Sequence, residues 1–187
     1  MNNCPIILPN YQNSLEIIQD YFIFLNWFSP KYNELEIIQN KSRDIFMKVY
    51  FACSITGGRQ DESRNQAIVA SLLEQGHQVP TAGLVRSEII QEEKLIDPVQ
   101  VYERDTKWIR ECDVLIAEVS TPSHGVGYEI GYALHQSIPV ICLYLKGALV
   151  SKMITGNQDP NLHLFCYEQI EEALSYLQER FDEINQA

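Results

Sequence analysis

Three stretches of this chain are apolar almost without interruption and too short to be read as complete helices. They are Lys48–Cys53 (KVYFAC), Val114–Val119 (VLIAEV) and Ile138–Leu145 (IPVICLYL). A strand with one wet face alternates apolar and polar residues, whereas a run without alternation needs cover on both sides, the situation of a parallel strand under helices. Helical periods separate the runs. One spans Asp61–Gln75, with Ala67, Ile68, Ala70, Leu72 and Leu73 apolar and a stop at Gly76. A second spans Pro98–Glu111, a third opens near Gly125, and a fourth spans Glu168–Ile184. Two weaker strands are read at His77–Thr81, which Pro80 confines to an edge or strand end, and at Leu162–Cys166. The β-α-β alternation predicts a Rossmann-like or flavodoxin-like α/β fold, a doubly wound parallel sheet of about five strands with right-handed connections in a single domain.

Composition narrows what such a domain can do. The 187 residues, 45% hydrophobic and 21% charged, suffice for one well-buried core. With 14 Lys plus Arg against 25 Asp plus Glu, the net charge of −11 excludes the basic footprint of a nucleic-acid binder, while small anions, which need only local donors, remain candidate ligands. Cys4, Cys53, Cys112, Cys142 and Cys166 show no C-x-x-C spacing, which argues against a zinc site or disulfide scaffold. No signal-peptide pattern and no stretch of 18 apolar residues is found. The expected location is therefore the cytoplasm, or the nucleus in a eukaryotic source. Residues 1–46 differ from the rest, with Pro5, Pro9 and Pro30 among clustered aromatics. They are read as an extension ahead of a catalytic domain at 47–187, in which Met47 stands directly before the first clear strand. Residues 82–96 read as a loop with a short charged helical piece, the kind of segment that often forms a lid or binding loop.

The candidate chemistry gathers where parallel strands hand over to helices, because ligands of open α/β sheets bind outside the carboxyl ends of strands, facing helix amino termini. After Val114–Val119 the chain turns through Ser, Pro and Gly and enters a helix carrying Glu129 near its start. Glu129 lies three or four residues from Val126, Tyr132 and Ala133, without a Lys or Arg at helical spacing. The helix dipole and turn N–H groups would keep it ionised, as suits a nucleophile, although a carboxylate that only caps the turn fits the same spacing. Asp105 falls in register with Val101, Tyr102, Trp108, Ile109 and Cys112, and none of its i±3 or i±4 neighbours is basic. Burial without a cation would raise its proton affinity and make it a donor, a tertiary partner being the alternative. The first strand ends in Ser54-Ile-Thr-Gly-Gly-Arg59. There Ser54, Gly57, Gly58 and Arg59 could cradle a phosphate, or the glycines could be turn chemistry alone. Ser151, within Leu149–Gly156, could cap a short helix or touch a ligand.

Two inward carboxylates in unlike surroundings suit glycosidic-bond cleavage. In this scheme Glu129 attacks a sugar C1′ while Asp105 protonates the departing base, and water or a second base then resolves the glycosyl-enzyme. Tyr50-Phe-Ala-Cys-Ser-Ile-Thr-Gly-Gly-Arg59, Arg104-Asp-Thr-Lys-Trp108, Asp113-Val-Leu-Ile-Ala-Glu118, Pro122-Ser-His-Gly-Val-Gly-Tyr-Glu-Ile-Gly131 and Val150-Ser-Lys-Met-Ile154 together resemble the nucleoside 2-deoxyribosyltransferase superfamily. Within it they look most like the deoxynucleoside 5′-monophosphate N-glycosidases. The resemblance implies that Glu129 is the nucleophile and Asp105 the acid and base, with Tyr50 beside the sugar. It implies also that Ser54, Ser123 and Gly125 hold a 5′-phosphate, and that Ser151 reaches the neighbouring site of a homodimer. Hydrolysis of deoxyribonucleoside 5′-monophosphates to base and 2-deoxyribose 5-phosphate, with no metal or organic cofactor, is the implied activity.

The chain departs from that pattern at Thr56, where animal-type hydrolases carry an Arg near the phosphate, a charge Arg59 could supply instead. It departs again at Ala82-Gly83, where many members have Glu-His beside the base. The competing readings are a transferase that passes deoxyribose between bases and a nucleotide-binding domain without catalysis. A lysine-decarboxylase-like phosphoribohydrolase is disfavoured, because its P-G-G-x-G-T-x-x-E signature is missing.

Overall fold

In the computed structural model, which describes residues 46–55, 61–85 and 95–184, the apolar runs are strands β1 (Val49–Ala52), β2 (Val114–Glu118) and β3 (Val140–Leu145). Leu162–Tyr167 adds β4. All pair in parallel in the order β1-β2-β3-β4, with Val49 opposite Val114, Ile116 opposite Ile141 and Cys142 opposite Leu164. The helices are α1 (Glu62–Glu74), α2 (Pro98–Glu111), α3 (His124–His135), α4 (Lys152–Thr155) and α5 (Ile170–Ile184). Among the described residues no helix is long and apolar enough to cross a membrane.

The missing alternation along the strands has the meaning expected of it: both faces are covered. Successive residues of a strand point to opposite faces, and the core divides accordingly. Val49, Phe51, Val114, Ile116, Ile141 and Leu143 pack with Ile68, Val69 and Leu72 of α1 and Ala173, Leu177 and Phe181 of α5. Tyr50, Ala52, Leu115, Ala117, Val140 and Cys142 pack with Ile109 of α2 and Val126, Ile130 and Ala133 of α3. Tyr50 thus shares its face with the two helices that carry Asp105 and Glu129. A register slip of one residue in β1 would turn it to the opposite side.

The strand expected at His77–Thr81 is instead a single parallel bridge, Lys48 with Gln78, made by Gln78 N–H to the Met47 carbonyl and Val49 N–H to the Gln78 carbonyl. Pro80 ends the ladder, because it has no N–H to offer and begins a 3-10 helix, Pro80–Val85. The next strand donor, Phe51 N–H, is met by the Thr81 hydroxyl at 3.0 Å. Four named strands and one bridge therefore replace about five strands. Because the bridge lies across β1 from β2, chain order reverses between β1 and β2, which makes their carboxyl ends a topological switch point. The loop expected at 82–96 begins within the 3-10 helix; residues 86–94 lie outside the described part, as do nearly all of the 1–46 extension and residues 56–60.

Candidate active site

Every placed functional side chain belongs to the β1 and β2 ends of the sheet or to helices on the Tyr50 face. Tyr50 is buried in the middle of β1, 1% exposed. Its hydroxyl donates to Glu129 Oε1 at 2.7 Å. Glu129 lies on α3, whose amino end is capped by Ser123: its hydroxyl oxygen accepts from Val126 N–H at 3.4 Å. Burial pushes the Glu129 carboxyl up from its ordinary value, the Tyr50 hydroxyl pulls it down, and the charge of Asp105 pushes it up again. Burial and the two carboxylates drive Tyr50 in the same upward direction, so its phenol stays protonated and donates. The sum on Glu129 differs in cause from the expectation. A tyrosine hydroxyl is its identified donor, and its proton affinity is raised despite the helix terminus.

Asp105 belongs to α2, which starts on Pro98 behind Asp97, whose carboxylate caps Val99 N–H at 2.9 Å. The sequence expectation of a cation-free Asp105 is corrected. Arg104 Nε lies 2.8 Å from Asp105 Oδ1, and the same guanidinium stands 5.0 Å from the Trp108 ring centre. Adjacent helical residues do not face each other, so spacing rules leave this pair out. A long arginine laid over the residue one turn on can still bend back to its neighbour. The fully buried residue of α2 on this core is Ile109, and Asp105, with 18% of its side chain exposed, sits at the edge of the stripe. Its charge nonetheless reaches both Tyr50 and Glu129. The two carboxylates and the phenol therefore form one electrostatic group.

The candidate anion ligands are only partly in view. Ser54, just past β1, has a buried hydroxyl with no hydrogen-bond partner among the described residues. Thr56, Gly57, Gly58 and Arg59 lie outside the described residues. At Gly125, in the first turn of α3, a Cβ would meet only Ser123 Oγ at 3.8 Å among the described residues, so none of them demands glycine there. Ser151 caps α4, accepting from Met153 N–H at 3.3 Å, and its turn carries Leu149 and Met153, 88% and 84% exposed. A groove of about 950 Å³ runs past Ser123, Gly127, Gly131 and Ser151 and is lined mainly by apolar side chains. Tyr50, Asp105 and Glu129 do not line it. Among the described residues no group of three or more His, Cys, Asp or Glu is placed to hold a metal ion.

The residues from Val49 to Glu172 match the nucleoside 2-deoxyribosyltransferase family model. The chain belongs to that family. Its members similar to this one include a Thermofilum pendens protein, provisionally named 2′-deoxynucleoside 5′-phosphate N-hydrolase 1. That protein is 41% identical over 133 residues, covering 70% of this chain and 92% of the relative. The mouse 5-hydroxymethyl-dUMP N-hydrolase is 40% identical over 115 residues, 59% of this chain and 66% of its own. Among solved structures, a Clostridium botulinum CMP N-glycosidase superposes with a TM-score of 0.56 at 26% identity, covering 71% of this chain and 98% of the other. The sequence resemblance to deoxyribosyltransferase-type proteins is thus borne out, and these relatives are named for N-hydrolase or N-glycosidase activity.

Sequence reasoning missed several polar side chains around the site. Glu118, 1% exposed at the end of β2, accepts from the Tyr167 hydroxyl at 2.9 Å and from the Ser120 hydroxyl. An acid at the end of an otherwise apolar run was the available signal. Asp61 is buried beside Arg64 and Thr121. The sequence marks it only as a helix start.

Proposed function

We propose that this family member hydrolyses the N-glycosidic bond of 2′-deoxyribonucleoside 5′-monophosphates, giving free base and 2-deoxyribose 5-phosphate. The observation that carries the reading is the 2.7 Å hydrogen bond from Tyr50 to Glu129, with the charge of Asp105 felt by both. Glu129 attacks C1′ as a carboxylate, and the bond to the base breaks as its electron pair leaves with the base nitrogen. Asp105 acts here in its protonated form and supplies the proton that neutralises the leaving base, while Arg104 stabilises the carboxylate it leaves behind. It then accepts a proton from the water that attacks C1′ of the glycosyl ester, returning Glu129 as a carboxylate. Tyr50 holds the nucleophile's oxygen in place and offsets part of the desolvation that would otherwise protonate it.

The phosphate end of the substrate is assigned to Ser54, Ser123 and Gly125, with Thr56, Gly57, Gly58 and Arg59 completing the cradle. Three features support that assignment. The buried Ser54 hydroxyl has no hydrogen-bond partner among the described residues. Ser123 uses its oxygen weakly as a cap acceptor and keeps its O–H to donate. Gly125 leaves the first turn of α3 open to an anion at the helix terminus. Ser151 is assigned to the neighbouring site of a homodimer. Its turn projects the apolar Leu149 and Met153 beside the groove, a combination suited to a subunit contact.

The test is a panel of single deoxynucleotides with and without the 5′-phosphate, on wild type and on Glu129→Gln and Asp105→Asn. Sugar phosphate released without added base, with a loss of about 10³-fold or more in Glu129→Gln, is the expected result for a covalent nucleophile. Turnover that begins only when a second base is added would replace the hydrolase by the transferase reading.

A further inference from the structure

The turn between β2 and α3, which presents Ser123, is fixed from both sides by side chains that the proposed chemistry does not use. On one side Ser120 accepts from Leu145 N–H of β3 at 2.7 Å and donates to Glu118, which Tyr167 of β4 also engages. On the other side the Thr121 hydroxyl donates to Asp61 Oδ2, while Arg64 holds Oδ1. Asp61 stands at the amino cap of α1, yet its side chain makes no cap bond. An acid in that position ordinarily satisfies its own helix. Here one oxygen is held by the Arg64 side chain of the same helix, and the other is turned to Thr121, 60 residues away in sequence.

Holding a buried carboxylate against a partly buried guanidinium is a poor way to gain stability, since well-packed apolar groups of the same volume do as well or better. What such a pair supplies is a defined geometry. Moving Thr121 by an ångström would move Ser123, two residues on, and the first turn of α3 with it. We propose that Asp61 and Thr121 are positioning residues that lock the β2–α3 turn to α1 and so set the 5′-phosphate site at Ser123 and Gly125. This rests on the deoxynucleotide reading given above and deepens it: selectivity for a phosphorylated substrate depends on a side-chain brace from Thr121, at the wall of the groove, to Asp61.

Thr121→Val keeps the shape and removes the donor; Thr121→Ser restores it. With a deoxynucleoside 5′-monophosphate, Thr121→Val is expected to raise KM about tenfold with kcat changed less than twofold, and Thr121→Ser to recover most of the loss. Calorimetric affinity for 2-deoxyribose 5-phosphate should fall in parallel. Turnover of the unphosphorylated deoxynucleoside should be unaffected. Asp61→Asn, which keeps an acceptor but loses the charge, gives an intermediate KM and serves if Thr121→Val does not fold. Wild-type preference for the monophosphate with unchanged KM and affinity in the folded variants overturns the brace alone. A wild type that neither turns over the monophosphate nor binds the sugar phosphate overturns the functional reading, and the brace with it.

Discussion

At the scale of single residues, Glu129 is poised between opposing influences, and the balance has a measurable sign. Burial and Asp105 raise its proton affinity, and the Tyr50 hydroxyl lowers it. In the proposed mechanism Glu129 works in its charged form, so activity should fall as pH drops through the Glu129 value, at higher pH than for an exposed glutamate. Tyr50→Phe removes the one lowering influence and leaves the ring in its buried place on β1. The acidic limb of the kcat/KM profile should therefore move to higher pH in that variant, with a several-fold loss on that limb that narrows as pH rises. An unshifted limb would mean that the phenol does not control the ionisation of Glu129. The thiol of Cys53, nearby at the end of β1, is pushed up to about 12, chiefly by burial and then by Glu118 and Glu129. It is therefore a protonated packing group and not a competing nucleophile.

At the scale of elements, the contest at the sheet edge shows what a linear pattern can and cannot carry. The β1, β2 and β3 runs were legible because burial on both faces demands continuous apolar sequence, and that demand is local. The placement of Glu129 was legible for a related reason, as an acid where a helix turns inward, whereas Asp105 lies at the edge of its stripe. At His77–Thr81 the outcome depends on a tertiary substitution: Thr81 supplies through its side chain the acceptor that a backbone carbonyl would have given Phe51. Nothing in the local pattern encodes that. The Arg104–Asp105 pair and the Asp61–Thr121 contact escape for the same reason, since spacing rules describe neighbours on a helix and not side chains that fold back or cross between elements. Thr81, 1% exposed, also gives a direct test. Thr81→Val fills the same volume but leaves the Phe51 N–H buried without a partner, which costs about 1–3 kcal/mol. Thr81→Ser should return most of that. Urea unfolding of the three proteins would measure it, and equal midpoints would show that Phe51 finds another acceptor.

At the scale of the whole molecule, Ser123 and Ser151 border one groove of the same chain, while Tyr50, Asp105 and Glu129 lie apart from it. Two arrangements follow, one in which Ser151 serves its own site and one in which it serves another. The exposed Leu149 and Met153 on its turn favour a second copy of the chain as the recipient. Subunit mixing separates the alternatives. In the proposed homodimer Glu129→Gln would lack the nucleophile and Ser151→Ala the phosphate donor, so each variant would be impaired at both of its sites. If Ser151 acts across the interface, a mixed dimer has one site with both defects and one with neither. Random exchange makes about half the dimers mixed, and one good site in each gives about a quarter of wild-type activity at low substrate. If Ser151 acts within its own chain, every site keeps one defect and mixing yields only the average of the two preparations. Recovery to about a quarter after unfolding and refolding the variants together, and none when they are simply combined below the exchange time, is the outcome expected of a site completed by its neighbour.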